Sequence, residues 1–255
     1  MNQYLKNLNK IEFVVTDACT GKCKHCSQGS HSLHSDRIDP ILAEDAVRRV
    51  SAVYDIKTVM TFGGEPLLHT DAVYAIMRAA KEAGVGKRQV ITNGFFSRDI
   101  AKIREVVTNL YLVGVNDLLL SVDAFHQETI PLDVVRAFAR EAMACGLKIR
   151  LQPAWLVSST DSNPYNVRTR NILDSFRELG IDESVGNVIF PEGNALKFLS
   201  EYFVDSSPEN PYIEDPCEVK CLSFGANGDV LDGNIYTKDI LEIIKDYVPK
   251  GKTNE

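Results

Sequence analysis

Long apolar runs are missing from these 255 residues. Nothing approaches the roughly 20 consecutive apolar residues that cross a bilayer, and Met1 to Lys10 is polar, without an apolar stretch of signal-peptide length. No membrane partner is expected, and a cytoplasmic location is. Positive charge is in deficit: 28 Lys and Arg against 35 Asp and Glu leave a net charge of -7. Nucleic-acid binding rests largely on neutralising phosphates, so a nucleic-acid partner is not expected unless a local basic patch forms around Arg150 or around Arg168 and Arg170. Cysteine is too sparse, at six, for a small scaffold stapled by disulfides, which fits a compartment where thiols stay reduced. Tryptophan is nearly absent; Trp155 either walls a pocket or simply packs. There is no internal repeat and no low-complexity tract. The 44% hydrophobic content is ordinary and supplies a core for one large domain, with or without a small appendage.

Against that sparseness, three of the six cysteines fall within eight residues. Cys19, Cys23 and Cys26 form C-x3-C-x2-C. Ionising an ordinary thiol at neutral pH costs roughly 2 kcal/mol, or roughly 6 for three. Metal binding at a structural site returns on the order of 10 to 16 kcal/mol, enough to deprotonate all three. Three thiolates are one short of the four that normally ligate a [4Fe-4S] cluster, which would leave one iron open. A zinc site completed by His25, His31 or His34 is the alternative, although structural zinc ligands tend to come as two separated pairs.

From Ile11 to about Phe190, short apolar runs alternate with amphipathic stretches, the pattern of strand-helix-strand units around a parallel sheet. Strands are expected near 11–16, 57–62, 88–92, 116–122, 147–153 and 186–190. Helices are expected near 40–54, 71–83, 98–108, 131–144 and 166–179. Asp39 and Pro40 should start the first helix, and Gly84, Gly146 and Gly180 should end later ones. Six strands in about 180 residues suit an α/β partial (β/α)6 barrel better than a complete eightfold one.

The expected division is a barrel domain over 1–190 and a C-terminal extension or lid over 191–255. In the extension we expect a helix near 194–204, a linker from Asp205 to Pro216, a hairpin around Asn227-Gly228, and a last helix capped by Thr237 and ended by Pro249. This tail is too short for its own core and should pack on the barrel as a lid or edge extension.

In such folds ligands bind beyond the carboxyl ends of the strands. The cysteine loop follows the first strand there, and Gly63-Gly64-Glu65-Pro66 follows the second. Glycines before a proline make a tight turn or allow close backbone approach to a ligand. The C-x3-C-x2-C loop after a first strand with GGEP after a second resembles the radical S-adenosylmethionine (radical SAM) enzymes, over roughly residues 11 to 190. His25 stands where that family usually has an aromatic residue.

The resemblance implies a [4Fe-4S] cluster on Cys19, Cys23 and Cys26, and S-adenosylmethionine chelated by the open iron. It also implies an electron donor such as flavodoxin or ferredoxin, and a 5'-deoxyadenosyl radical that takes a hydrogen atom from a peptide or small-molecule substrate. It places His25, Gly63, Gly64, Glu65 and Pro66 at the cofactor, with Glu65 and the backbone near its amino group. Ser121 and Asp123, on one face of the fourth strand, are the ribose candidates, unless Ser121 satisfies neighbouring backbone and Asp123 caps the following turn.

Asn93, in Thr92-Asn93-Gly94, either helps seat the cofactor or marks a turn. Pro191 to Asn194 stands at the same rim. Arg150 either pairs with a carboxylate of cofactor or substrate or is merely solvated. His126 reads as packed or capping. The tail keeps the Gly228-Asp229-Val230 turn of the SPASM or twitch-like auxiliary-cluster regions of relatives, but it lacks the cysteine that usually follows. Cys217 and Cys221 are too few for an auxiliary cubane; as a catalytic pair they would donate hydrogen to a product radical, and otherwise they only pack. Without S-adenosylmethionine chemistry, the cysteine loop would serve an iron-sulfur electron carrier or redox sensor.

Overall fold

Asp39 shows how local chemistry starts an element. Its carboxylate accepts hydrogen bonds from the N–H groups of Ile41 and Leu42 at 2.8 and 3.0 Å, and Pro40 fixes the first helical residue. The computed structural model describes residues 2–204 and 208–250. In chain order the elements are β1 (Lys10–Val14), α1 (Pro40–Val53), β2 (Thr58–Phe62), α2 (Thr70–Glu82), β3 (Lys87–Thr92), α3 (Ile100–Leu112), β4 (Asp117–Ser121), α4 (Leu132–Ala144), β5 (Ile149–Gln152) and β6 (Ala154–Trp155). They continue as α5 (Pro164–Asp174), β7 (Asp182–Glu183), β8 (Asn187–Val188), α6 (Gly193–Phe198), β9 (Cys221–Phe224), β10 (Asp229–Val230), β11 (Gly233–Asn234) and α7 (Ile240–Asp246).

Seven strands form one parallel sheet in the order β7-β5-β4-β3-β2-β1-β9, a partial barrel of the α/β class. The strand period of two splits it into faces. Phe224, Phe13, Thr61, Val90, Leu118 and Ile149 form one register row, and all but Thr61 join the main core with Val47, Ile76, Val107 and Phe138 of the helices. Phe13 and Phe224 stack at 4.5 Å, and burying side chains of this size contributes about 1.5 to 3 kcal/mol each. The opposite face carries Glu12, Gln89, Asp117, Ser121 and Arg150.

Several expectations need correcting. The sixth strand does not run over 186–190 in the main sheet. Gly186 turns left-handed (φ 75°) against Pro153 O, β7 takes the edge beside β5, and β8 pairs with β6 in a separate two-stranded sheet. The hairpin of β10 and β11 turns at Leu231-Asp232, while Asn227-Gly228 links β9 to β10. Asp239, not Thr237, caps α7 through Leu241 N at 2.9 Å. α5 stops at Asp174, and a short 3-10 turn carries the chain on to Gly180.

Of the expected linker, residues 205–207 lie outside those described. The tail acts as an edge extension: β9 pairs with β1, and Asn2 Nδ2 donates to Ile244 O and Tyr247 O. No helix among the described residues is long and apolar enough to cross a membrane. Trp155 packs, donating through Nε1 to Val185 O at 3.0 Å.

Candidate functional site

The cysteine loop leaves the carboxyl end of β1, and its neighbours are built to approach it closely. Gly64 N donates to Thr16 O and Glu65 N to Ala18 O, both at 2.8 Å. A Cβ on Gly64 would stand 2.1 Å from Ala18 O, and one on Gly63 (φ 135°) 2.6 Å from Thr16 O. The glycines therefore serve first to dock one loop against the other, backbone on backbone.

Glu65 sits beneath this joint, fully buried, and its side chain is committed to its own chain, contrary to the reading of it as a cofactor contact. Oε1 accepts from Leu67 N (2.9 Å) and Thr92 Oγ1 (2.7 Å), and Oε2 from Asn93 N (2.8 Å). Burial outweighs these hydrogen bonds and pushes the carboxyl up to about 7. Pro66 is buried directly after it.

Three thiols converge on this rim with N–H groups around them. Cys19 Sγ accepts from Gly21 N at 3.3 Å and from Asn93 Nδ2 at 3.6 Å. Cys26 Sγ lies 3.1 Å from His31 Nε2, and His31 Nδ1 is held 2.7 Å from Asp17 O. Because a carbonyl oxygen can only accept, Nδ1 carries a proton there, and Nε2 and the sulfur share the next one. That contact with Cys26 raises His31. Burial pushes the Cys19 thiol up to about 11; burial, helped by the nearby charge of Asp123, pushes Cys23 well up. With no metal Cys19 and Cys23 keep their protons, and a polycation is what would ionise them.

No fourth cysteine stands at this rim. Cys145 follows α4 just before β5 starts, and Cys221 is paired with Lys10 where β1 starts. The donor set of three cysteine sulfurs with amide N–H support fits a [4Fe-4S] cluster one thiolate short of full ligation.

Beside the thiols lies a histidine pair. His25 rests against Phe125 (5.0 Å) and His126 (4.8 Å), its Nδ1 is buried without a hydrogen-bond partner among the described residues, and burial lowers it to about 4. Ligand atoms of Cys23, His25 and His126 lie within 4.8 Å of one another, so the zinc alternative keeps a partial donor set, whereas His34 is exposed and apart from it.

Asp123 departs from the ribose reading. It is fully buried; Oδ1 accepts from Phe125 N and His126 N (both 2.9 Å), and Oδ2 from His126 Nδ1 (2.7 Å) and Ala154 N (3.1 Å). It caps the turn and orients His126. Ser121 stays on the inner face at the rim, its hydroxyl available.

Arg150 also departs from expectation. It lies on the inner face, but its guanidinium grips Asp117 of the neighbouring strand (2.7 to 3.0 Å), with Lys87 and Gln89 on the same carboxylate. It is structural, and Arg170 is spent on the carbonyls of Ser159 and Asp161.

Cys221 and Cys217 are not brought to the site. β1 and β9 are parallel, so Cys221 stands at the amino end of the sheet, the length of a strand from the loop after Val14. There burial and Glu12 push its thiol up, and its surroundings do not favour reaction. Sequence reasoning missed Asp117 and the hydrogen bond from Thr92 to Glu65, which appear only once strand register is known. Asn194, expected at the same rim, grips the cysteine loop.

The family model described as the Radical SAM superfamily matches residues 13–194. A probable GTP 3',8-cyclase of Saccharolobus islandicus is 27% identical over 221 residues, covering 79% of this chain and 67% of that protein. The GTP 3',8-cyclase of Lactiplantibacillus plantarum is 29% identical over 120 residues, 45% of this chain and 33% of that one. The fold resembles Streptococcus suis SuiB bound to S-adenosylmethionine, at TM-score 0.61 and 17% identity over 93% of this chain and 65% of SuiB. It also resembles anSMEcpe with bound AdoMet, at TM-score 0.57 and 15% identity over 93% and 80%. The chain thus spans between a third and four fifths of these proteins' lengths. With the family match beginning on β1 and ending on the asparagine that grips the cysteine loop, the chain belongs to the radical SAM superfamily, enzymes that use a [4Fe-4S] cluster and S-adenosylmethionine.

Proposed function

We propose that Cys19, Cys23 and Cys26 hold a [4Fe-4S] cluster and that S-adenosylmethionine lies on the rim lined by the backbone of Gly63 to Pro66, by Asn93 and by Ser121, for hydrogen abstraction from a peptide. The observation that carries this is the docking of the GGEP loop onto the cysteine loop, because it puts the two motifs on one rim at backbone distance. Held by Cys19, Cys23 and Cys26, such a cluster would supply one electron, drawn from a donor such as flavodoxin or ferredoxin, for reductive cleavage of S-adenosylmethionine to methionine and a 5'-deoxyadenosyl radical, which would become 5'-deoxyadenosine on taking a hydrogen atom. The chain itself positions. Asn93 ties the GGEP loop to the cysteine loop, His25 and Phe125 form an aromatic wall, and Ser121 offers a hydroxyl.

The peptide reading draws on exposed structure near the rim. Among the described residues β8 has one edge unpaired in its two-stranded sheet, its Val188 is 39% exposed, and Leu196 and Phe198 of the following α6 are exposed by 56% and 48%. An extended chain can add to such an edge. SuiB has also been seen bound to its precursor peptide SuiA, in a fold that matches this one at TM-score 0.60.

A nucleotide substrate is the second reading, favoured by relatives named GTP 3',8-cyclase. Against it, a triphosphate calls for unpaired cations. The inner strand faces offer Lys10 paired with Glu12 (2.6 Å), and Lys87 and Arg150 paired with Asp117.

Anaerobic reconstitution tests the proposal. Brown protein, a change in the cluster's magnetic resonance spectrum on adding S-adenosylmethionine, and 5'-deoxyadenosine after reduction are expected. All three should vanish in Cys19→Ala, Cys23→Ala or Cys26→Ala and persist in Cys217→Ala and Cys221→Ala. Colour without the later two signals would make the chain an electron carrier, and stoichiometric zinc in colourless material a structural zinc protein. Turnover of GTP and of no peptide encoded by a neighbouring gene would favour the nucleotide.

A further inference from the structure

We infer that Asn194, seated by Gly193, is the positioning residue that shapes the cysteine loop from a segment distant in sequence; this rests on the proposed cluster site. Between Val15 and Asp39 the chain has no helix and no strand longer than the single bridge of Thr16 to Arg37. Its form must come from contacts made by other segments. Asn194 supplies three of them to one stretch of backbone: its N–H donates to Cys26 O at 2.9 Å, and its Nδ2 to Cys23 O at 3.1 Å and Gly29 O at 3.0 Å. Its Oδ1 accepts from Ser30 Oγ at 3.3 Å.

Two of the three carbonyls belong to the proposed cluster cysteines, so the side chain fixes the peptide plane after Cys23 and the backbone N–H fixes the one after Cys26. Asn194 is only 7% exposed, where an unmade hydrogen bond is expensive. Gly193 makes the approach possible. Its φ is +52°, and a Cβ there would stand 2.3 Å from Ser27 O and 2.7 Å from Cys26 O. The two residues act together: a bare backbone lets the start of α6 press against the loop, and Asn194 then reaches two carbonyls with its side-chain amide and a third with its backbone N–H. Ala195 and Leu199 of the same segment pack with Phe125 and Ile189, so the grip is anchored in a small apolar cluster of its own.

The experiment reads the loop in metal-free protein by hydrogen-deuterium exchange. Asn194→Ala should raise exchange across residues 23–30 by about tenfold or more, the effect of losing hydrogen bonds worth about 1 kcal/mol each, while β3 and α2 exchange as in the parent. Gly193→Ala should give the same local pattern with the asparagine still present. After reconstitution, both variants should hold less iron per chain and respond more weakly to S-adenosylmethionine in the magnetic resonance spectrum.

Unchanged exchange over 23–30, or a rise no larger than that of β3 and α2, overturns the inference. The two claims fail separately. A parent protein that forms no 5'-deoxyadenosine while Asn194→Ala still loosens 23–30 sinks the radical reading and keeps the positioning role.

Discussion

Asp123 and Glu65 are both fully buried at the carboxyl rim, yet their surroundings move them in opposite directions. Burial by itself works to raise Asp123, but the adjacent His126 and the hydrogen bonds more than reverse it, holding the carboxyl at about 2 against 3.8. A depressed acid stabilises the fold above its unfolded value and loses that contribution as pH falls through its folded one. Here that is about 2 kcal/mol, lost between about pH 4 and pH 2. Asp123→Asn leaves an amide NH2 facing a backbone donor or the His126 ring; urea unfolding at pH 7 should show a loss of about 3 kcal/mol. Glu65 has the other sign. Raised from 4.5 to about 7, it makes the fold progressively less stable as pH climbs through that window, by about 3 kcal/mol in all. Urea unfolding of Glu65→Gln at pH 5 and pH 8 should show this slope removed relative to the parent. The local caps on Asp123 and Glu65 lie within three residues of each, but Ala154, Thr92 and Asn93 could not be read from spacing, because they arrive from other segments.

At the scale of elements, two glycines that look alike in sequence separate sharply. Gly84 ends α2 with φ +74° and has nothing within 4 Å of a would-be Cβ, whereas Gly64 has a carbonyl oxygen at 2.1 Å. Gly84→Ala should cost about 1 to 2 kcal/mol, the ordinary penalty of the left-handed conformation, and leave iron loading intact. Gly64→Ala must push the GGEP loop off the cysteine loop. It should abolish iron loading while far-ultraviolet circular dichroism shows the helices kept. Boundaries of β1 to β4 and of α1, α2 and α4 were legible because apolar periodicity, Asp39-Pro40 and the terminal glycines all agree. The sixth strand was not legible. Its apolar run is cut by Gly186, whose need to clear Pro153 O is a tertiary fact.

For the molecule as a whole, the C-terminal strand is part of the barrel. β9 covers the exposed edge of β1, and Phe224 is fully buried on Phe13. Phe224→Ala should therefore cost about 3 to 5 kcal/mol in urea unfolding, a loss that a detachable lid would not show. This placement also explains why the Cys217 and Cys221 expectation failed: sequence distance from a motif says nothing about which end of a parallel sheet a later strand begins at. The sequence by itself determined the α/β class, the three-thiol loop and its pairing with GGEP, because strand period, glycine conformation and thiol spacing are local properties. Only the tertiary structure decided that Glu65, Asp123 and Arg150 serve the scaffold, that β9 closes the sheet edge, and that Asn194 grips a loop 171 positions away from it at Cys23. Those outcomes depend on register and chain crossing, which bring together groups that no local pattern relates.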